Sequence, residues 1–135
     1  MLLPLAHDEK VPIGLAPAPR ILVVEDMRDN RDFYAAILKQ RGFAVNVAAD
    51  GVSGLRMATL IVPDLILLNE MMPGLCGLQV LSHLRLSPRT TRIKVVMTSG
   101  FPMRDEAIAA GAVDFLSVPF SPRELNARIA SALNG

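Results

Sequence analysis

The side chains with chemistry to offer stand where apolar runs end. Glu25-Asp26 follows Ile21-Leu22-Val23-Val24, Asn69 follows Leu65-Ile66-Leu67-Leu68, and Ser99-Gly100 closes the run that begins at Ile93. The first two runs are apolar without alternation, the pattern of parallel strands covered on both faces. In an open α/β sheet, ligands and reacting groups gather at the carboxyl ends of such strands. Taken singly, an acid, an amide or a hydroxyl at a strand end is more often a helix cap or a turn former. The shared edge is the stronger signal. Asn69 is central to it, because Pro63 to Gly77 carries a strand, a Pro73-Gly74 turn and a polar residue between them.

Other reactive side chains carry less weight. The single cysteine, Cys76, excludes an internal disulfide and suits a reducing compartment; with no base near it in sequence, the inert reading prevails. His83 lacks a second His or Cys at ligand spacing, which argues against a metal role. Of Met71 and Met72, at least one is expected to pack under the turn rather than offer an adaptable surface.

The elements that must position these residues can be read from periodicity. Residues 1–19 hold Pro4, Pro12, Pro17 and Pro19 and predict a flexible or extended leader; residues 20–135 form the folded domain. A helix is expected from Asp29 to Arg41 with Phe33, Ile37 and Leu38 on its buried stripe, and Gly42 at C′. A short strand through Phe43, Val45 and Val47 precedes a helix through Leu55, Ala58 and Ile61. After the Pro73-Gly74 turn, Leu78, Val80, Leu81 and Leu84 make a helix to about Leu86, and Pro102 to Ala110 makes a short one. Val113 to Val118 is the fifth strand. Ser121-Pro122-Arg123-Glu124 then combines a capping box with proline at N1, ahead of a helix buried through Leu125, Ile129, Ala132 and Leu133. Alternating strands and helices with short connections predict an α/β fold, a three-layer (βα)5 doubly wound parallel sheet.

Composition narrows the function classes. With 135 residues and 51% hydrophobic content, the chain makes one domain with a real core. Lys and Arg number 14 against 13 Asp and Glu, and the +1 balance gives no global attraction to nucleic acid or a membrane surface. Arg85, Arg89, Arg92, Lys94 and Arg104 form a local basic stretch, but no aromatic platform accompanies them, so a solvated loop is expected and no nucleic-acid partner. No run approaches the ~20 apolar residues of a membrane span. Met1 to Ala6 lacks a basic region before it and is broken by Pro4, which argues against a signal peptide; the cytoplasm is the expected location.

Over residues 20–134 the sequence resembles the response-regulator receiver family of two-component signalling, including its CheY-like chemotaxis member. The resemblance rests on ILVVED, PDLILLNEMMPGLCG, VVMTSG and AGAVDFLSVPFSPREL together. It implies a flavodoxin-like fold with strand order 2-1-3-4-5. It also implies a phospho-acceptor aspartate after the third strand, two acids that hold Mg²⁺, a hydroxyl and a lysine that contact the phosphoryl oxygens, and an aromatic that reports the change. Carried over by position, Glu25 and Asp26 match the metal acids, with the Glu70 backbone beside them. Ser99 matches the hydroxyl, Phe115 the aromatic and Pro119 the proline after the lysine. Partners implied are a histidine kinase, a phosphotransfer protein or another signalling protein, and a homodimer through the fourth helix, fifth strand and fifth helix.

Two positions depart from the pattern. Asn69 stands at the phospho-acceptor position and Val118 at that of the lysine. A carboxylate can attack phosphorus, whereas a neutral amide is a very poor nucleophile. Mg²⁺ is held by hard oxygen ligands, and an amide brings no charge to the site, so only weak binding is expected. Two adjacent acids without a cation should repel, raising one pKa. Loss of acid and lysine together is electrostatically coherent, and one Asp-to-Asn change would not account for Val118. The reading is therefore a pseudo-receiver acting by phosphorylation-independent contact, not an enzyme. Its alternatives are a phosphorylatable receiver carrying an altered position 69 or using another acid such as Asp26 or Glu70, and a flavodoxin-like FMN-binding protein. The last lacks a phosphate-cradling loop after the first strand, where Glu25-Asp26 would repel a phosphate. The segment from Ser99 to Gly111 is also about a turn shorter than the family leads one to expect.

Overall fold

The computed structural model describes residues 17–135, so most of the leader expected over 1–19 lies outside the described residues. Strands and helices alternate along the chain: β1 (Arg20–Val24), α1 (Arg28–Gln40), β2 (Ala44–Ala48), α2 (Gly51–Ile61), β3 (Leu65–Asn69), α3 (Gly77–Leu86), β4 (Lys94–Ser99), α4 (Arg104–Ala109), β5 (Asp114–Ser117) and α5 (Pro122–Asn134). Every strand pairing is parallel and the order is β2-β1-β3-β4-β5, the doubly wound arrangement expected from the alternation. Among the described residues no helix is long and apolar enough to cross a membrane.

The pleat divides the central strands between two cores. Ile21, Val23, Leu65, Leu67, Val96 and Leu116 pack against Tyr34, Ile37 and Leu38 of α1 and Leu125 and Ile129 of α5. Leu22, Val24, Ile66, Leu68, Val95, Met97 and Phe115 pack on the other face against Ala58, Val80, Leu81, Leu84 and Ala107 of α2, α3 and α4. Burial of each such aliphatic side chain contributes roughly 1.5–3 kcal/mol, which is why β1 and β3 show no alternation.

Local sequence sets the element ends. Gly42 takes φ 98°, the left-handed conformation expected after α1. Asp50 caps α2 by accepting from the Ser53 N–H at 2.7 Å. Ser121 Oγ accepts from Glu124 N–H at 3.1 Å and Glu124 Oε1 accepts from Ser121 N–H at 3.4 Å, with Pro122 opening α5. Three expectations need correction. Phe33 is 53% exposed and Tyr34 takes its place in the core, because Tyr34 stacks on Phe120 with ring centroids 5.0 Å apart. Val47 is exposed on the edge strand β2, where Ala48 is the buried residue. The basic stretch is in large part structural: Arg85 donates to the Thr91 and Gly111 carbonyls, Arg89 to the Thr59 and Leu60 carbonyls, and Lys94 Nζ to Ala132 and Leu133 O at the C-terminal end of α5.

Candidate functional site at the carboxyl edge of the sheet

The register brings the sequence-distant polar residues together. β1 and β3 align Val24 with Leu68, so Glu25 and Asn69 each follow a paired residue at the same edge. Glu25 is 4% exposed, whereas Asp26 and Asn69 are half-buried. Asn69 Nδ2 donates to Asp26 Oδ1 at 3.2 Å, to Glu25 Oε2 at 3.3 Å and to the Met71 carbonyl at 2.9 Å. Turned the other way, the amide would set its oxygen against two carboxylates, so the N–H end faces the acids. From α1, Arg31 Nη1 donates to the carbonyls of Glu25 at 2.9 Å and Asp26 at 3.3 Å, fixing the loop that presents them.

Electrostatics follow from that burial. The Glu25 carboxyl is pushed up to about 7, first by burial and then, to a lesser degree, by Asp26 beside it, against the opposing pull of the Met27 N–H and Arg31. The anticipated repulsion between the two acids is therefore present but secondary to desolvation. At the far end of β5, burial raises Asp114 but is outweighed by hydrogen bonds from Arg128, the Phe115 N–H and Arg104, so this carboxyl lies below its usual range.

Several residues singled out from sequence fall differently from expectation. The Glu70 carbonyl accepts from the Gly77 N–H at 3.0 Å and its carboxylate from the Leu78 N–H at 2.7 Å, so Glu70 anchors α3. The backbone oxygen that meets the acidic cluster through the Asn69 amide belongs to Met71, whose side chain is exposed while Met72 is buried. Ser99 stands one residue beyond Thr98, the β4 partner of Asn69, and its hydroxyl accepts from the Phe101 N–H at 3.0 Å. The hydroxyl beside the amide is that of Thr98, whose Oγ1 lies 3.5 Å from Asn69 Oδ1. Sequence reasoning missed Thr98, Arg31 and the carbonyl of Met71. Only the register of β3 on β4 and the fold of the loops bring them in. Phe115 is buried in the core beneath α4, Val118 is half-buried and Pro119 exposed, the two joined by a cis peptide.

Mg²⁺ demands near-octahedral oxygen coordination. Among the described residues no three His, Cys, Asp or Glu side chains gather to hold a metal ion. The residues at this edge supply two carboxylates, and an amide N–H points at both, so as arranged they do not fit Mg²⁺. A groove of about 700 Å³ lies at the opposite edge, lined by Pro17, Pro63, Arg89, Arg92 and Leu133 among others, and includes none of the site residues.

Comparison with known proteins decides the family. A sequence model of the response regulator receiver domain matches residues 21–130. The chain belongs to the response regulator receiver domain family. The receiver is 39% identical over 119 residues to the phosphate regulon transcriptional regulatory protein PhoB of Escherichia coli K12, covering 86% of this chain and 52% of PhoB. It therefore spans about half the length of that relative. Its fold matches the receiver domain of the Francisella response regulator 1452 with a TM-score of 0.80 at 28% identity, covering 86% of this receiver and 97% of that chain. It likewise matches the chemotaxis response regulator CheY4 of Vibrio cholerae with a TM-score of 0.81 at 24% identity, covering 85% and 98%, a likeness of fold alone. The CheY-like flavodoxin-like architecture, strand order included, is thus that of the family.

Proposed function

We propose that this receiver works in two-component signalling as a pseudo-receiver, by protein contact that does not depend on phosphorylation. The observation that carries the reading is the Asn69 amide lodged between Glu25 and Asp26; Val118, at the position the resemblance gives to the lysine, supports it. The lone pair of an amide nitrogen is delocalised into its carbonyl and is not offered to phosphorus, and the amide oxygen is a very weak nucleophile. Mg²⁺ binding is weak because the amide must turn round before two carboxylates and a neutral oxygen face the ion.

The partners fitting this reading are a histidine kinase, a phosphotransfer protein or another signalling protein in the cytoplasm. The folded unit is residues 20–135, with 1–19 as its leader. Arg104, Asp114 and Arg128 lie on the face made by α4, β5 and α5, and this is the face we assign to homodimer contact. With Glu25 and Asp26 following β1, a phosphate-bearing flavin is disfavoured there. A phosphorylatable receiver using Asp26 or Glu70 is the competing reading; Glu70 is engaged at the α3 N-terminus, which counts against it.

Incubation with Mg²⁺ and a small phosphodonor, followed by intact mass measurement, tests the proposal. No phosphoryl adduct is expected. A stoichiometric adduct mapped to Asp26 or Glu70 would replace it with the competing reading.

A further inference from the structure

The three acceptors tied by Asn69 come from two loops: Glu25 and Asp26 follow β1, and Met71 follows β3. A divalent cation in an acidic pocket does two things at once. It offsets the repulsion of adjacent carboxylates, and it links them to a carbonyl on a neighbouring segment. An amide N–H2 has two hydrogens and a partial positive charge, and here it is shared among those same kinds of acceptor. At its other end Thr98 Oγ1 on β4 lies 3.5 Å from Oδ1, at the outer limit of a hydrogen bond. Arg31 grips the backbone of both acids from α1 but reaches neither carboxylate, leaving the amide as the donor common to the two side chains.

We infer that Asn69 is a built-in substitute for the cation: a positioning residue whose amide clamps the β1–α1 loop to the β3–α3 loop and makes the site's geometry independent of metal. This rests on the family assignment and deepens the proposed function, since a site fixed from within has one state where a metal-dependent site has two.

Thermal unfolding in EDTA and in 10 mM MgCl2, at ionic strength matched with NaCl, tests it on the intact chain. For the Asn69 protein the two Tm values should coincide. Asn69→Asp places a third carboxylate among the acids, so its Tm should fall by roughly 5 °C or more in EDTA and recover with Mg²⁺. Asn69→Ala removes the clamp without adding charge, and its Tm should fall by a few degrees in both buffers. A saturable rise in Tm of the Asn69 protein with Mg²⁺ would overturn the inference, as would an Asn69→Ala protein as stable as the parent. The phosphodonor experiment fails separately: an adduct on another acid with a Mg²⁺-indifferent Tm would remove the proposed function and leave the clamp standing.

Discussion

Glu25 shows how one side chain records its surroundings. Its carboxyl is raised from 4.5 to about 7, so the folded state holds the proton more tightly than the unfolded chain. The stabilisation from that proton is complete below pH 4.5 and is lost as pH rises through about 7. Up to about 3 kcal/mol is at stake if the whole shift is expressed. Denaturant unfolding between pH 4.5 and 7.5 should show this decline, and Glu25→Gln should flatten it. Asp114 runs the other way: its lowered pKa stabilises above its usual value of 3.8 and the benefit disappears as acid protonates it. Asp114→Asn should weaken the contacts with Arg104 and Arg128, both at 2.8–2.9 Å, costing on the order of 1 kcal/mol near neutral pH because both guanidinia are substantially exposed. A change within 0.2 kcal/mol would mean that solvent screening cancels the cluster's contribution.

The elements hold these residues through close backbone contacts. α3 begins against the site: a Cβ at Gly77 would stand 2.6 Å from the Asn69 carbonyl oxygen and 2.8 Å from the Glu70 Cα, both backbone atoms that cannot step aside. Gly77→Ala should therefore cost several kcal/mol or displace the β3–α3 loop, measurable as a lowered Tm and altered amide shifts at Asn69 and Met71. Ser121→Ala, by contrast, removes only a cap from α5 and should cost about 1 kcal/mol. Helix and strand positions were readable from periodicity because burial on two faces writes itself into β1, β3 and β4. Helix phase was less so. Phe33 and Tyr34 are adjacent and both aromatic, and the contact between Tyr34 and Phe120, 86 residues apart in sequence, holds Tyr34 inward. The site divides in the same way. Glu25, Asp26 and Asn69 could be found at strand ends, but Thr98 and Met71 depend on strand register and loop path. Glu70, an acid beside the key amide, belongs to the helix that follows.

At the scale of the molecule, the scaffold is that of the receiver family. The sheet order is that of the family, and at its carboxyl edge position 69 offers an amide and position 118 an aliphatic side chain. On the proposed reading, such a domain keeps its surfaces without the chemistry that would switch them. Asn69→Asp combined with Val118→Lys restores both charges of the family pattern and should regain Mg²⁺ binding and phosphoryl transfer. If it regains neither, the segment around α4, six residues long, becomes the element to rebuild. The most direct measurement sets this double variant beside the Asn69 protein. Both are incubated with Mg²⁺ and a small phosphodonor, and their intact masses are recorded. One phosphoryl group is expected on the double variant and none on the Asn69 protein; a stoichiometric phosphoryl group on the Asn69 protein would overturn the pseudo-receiver proposal.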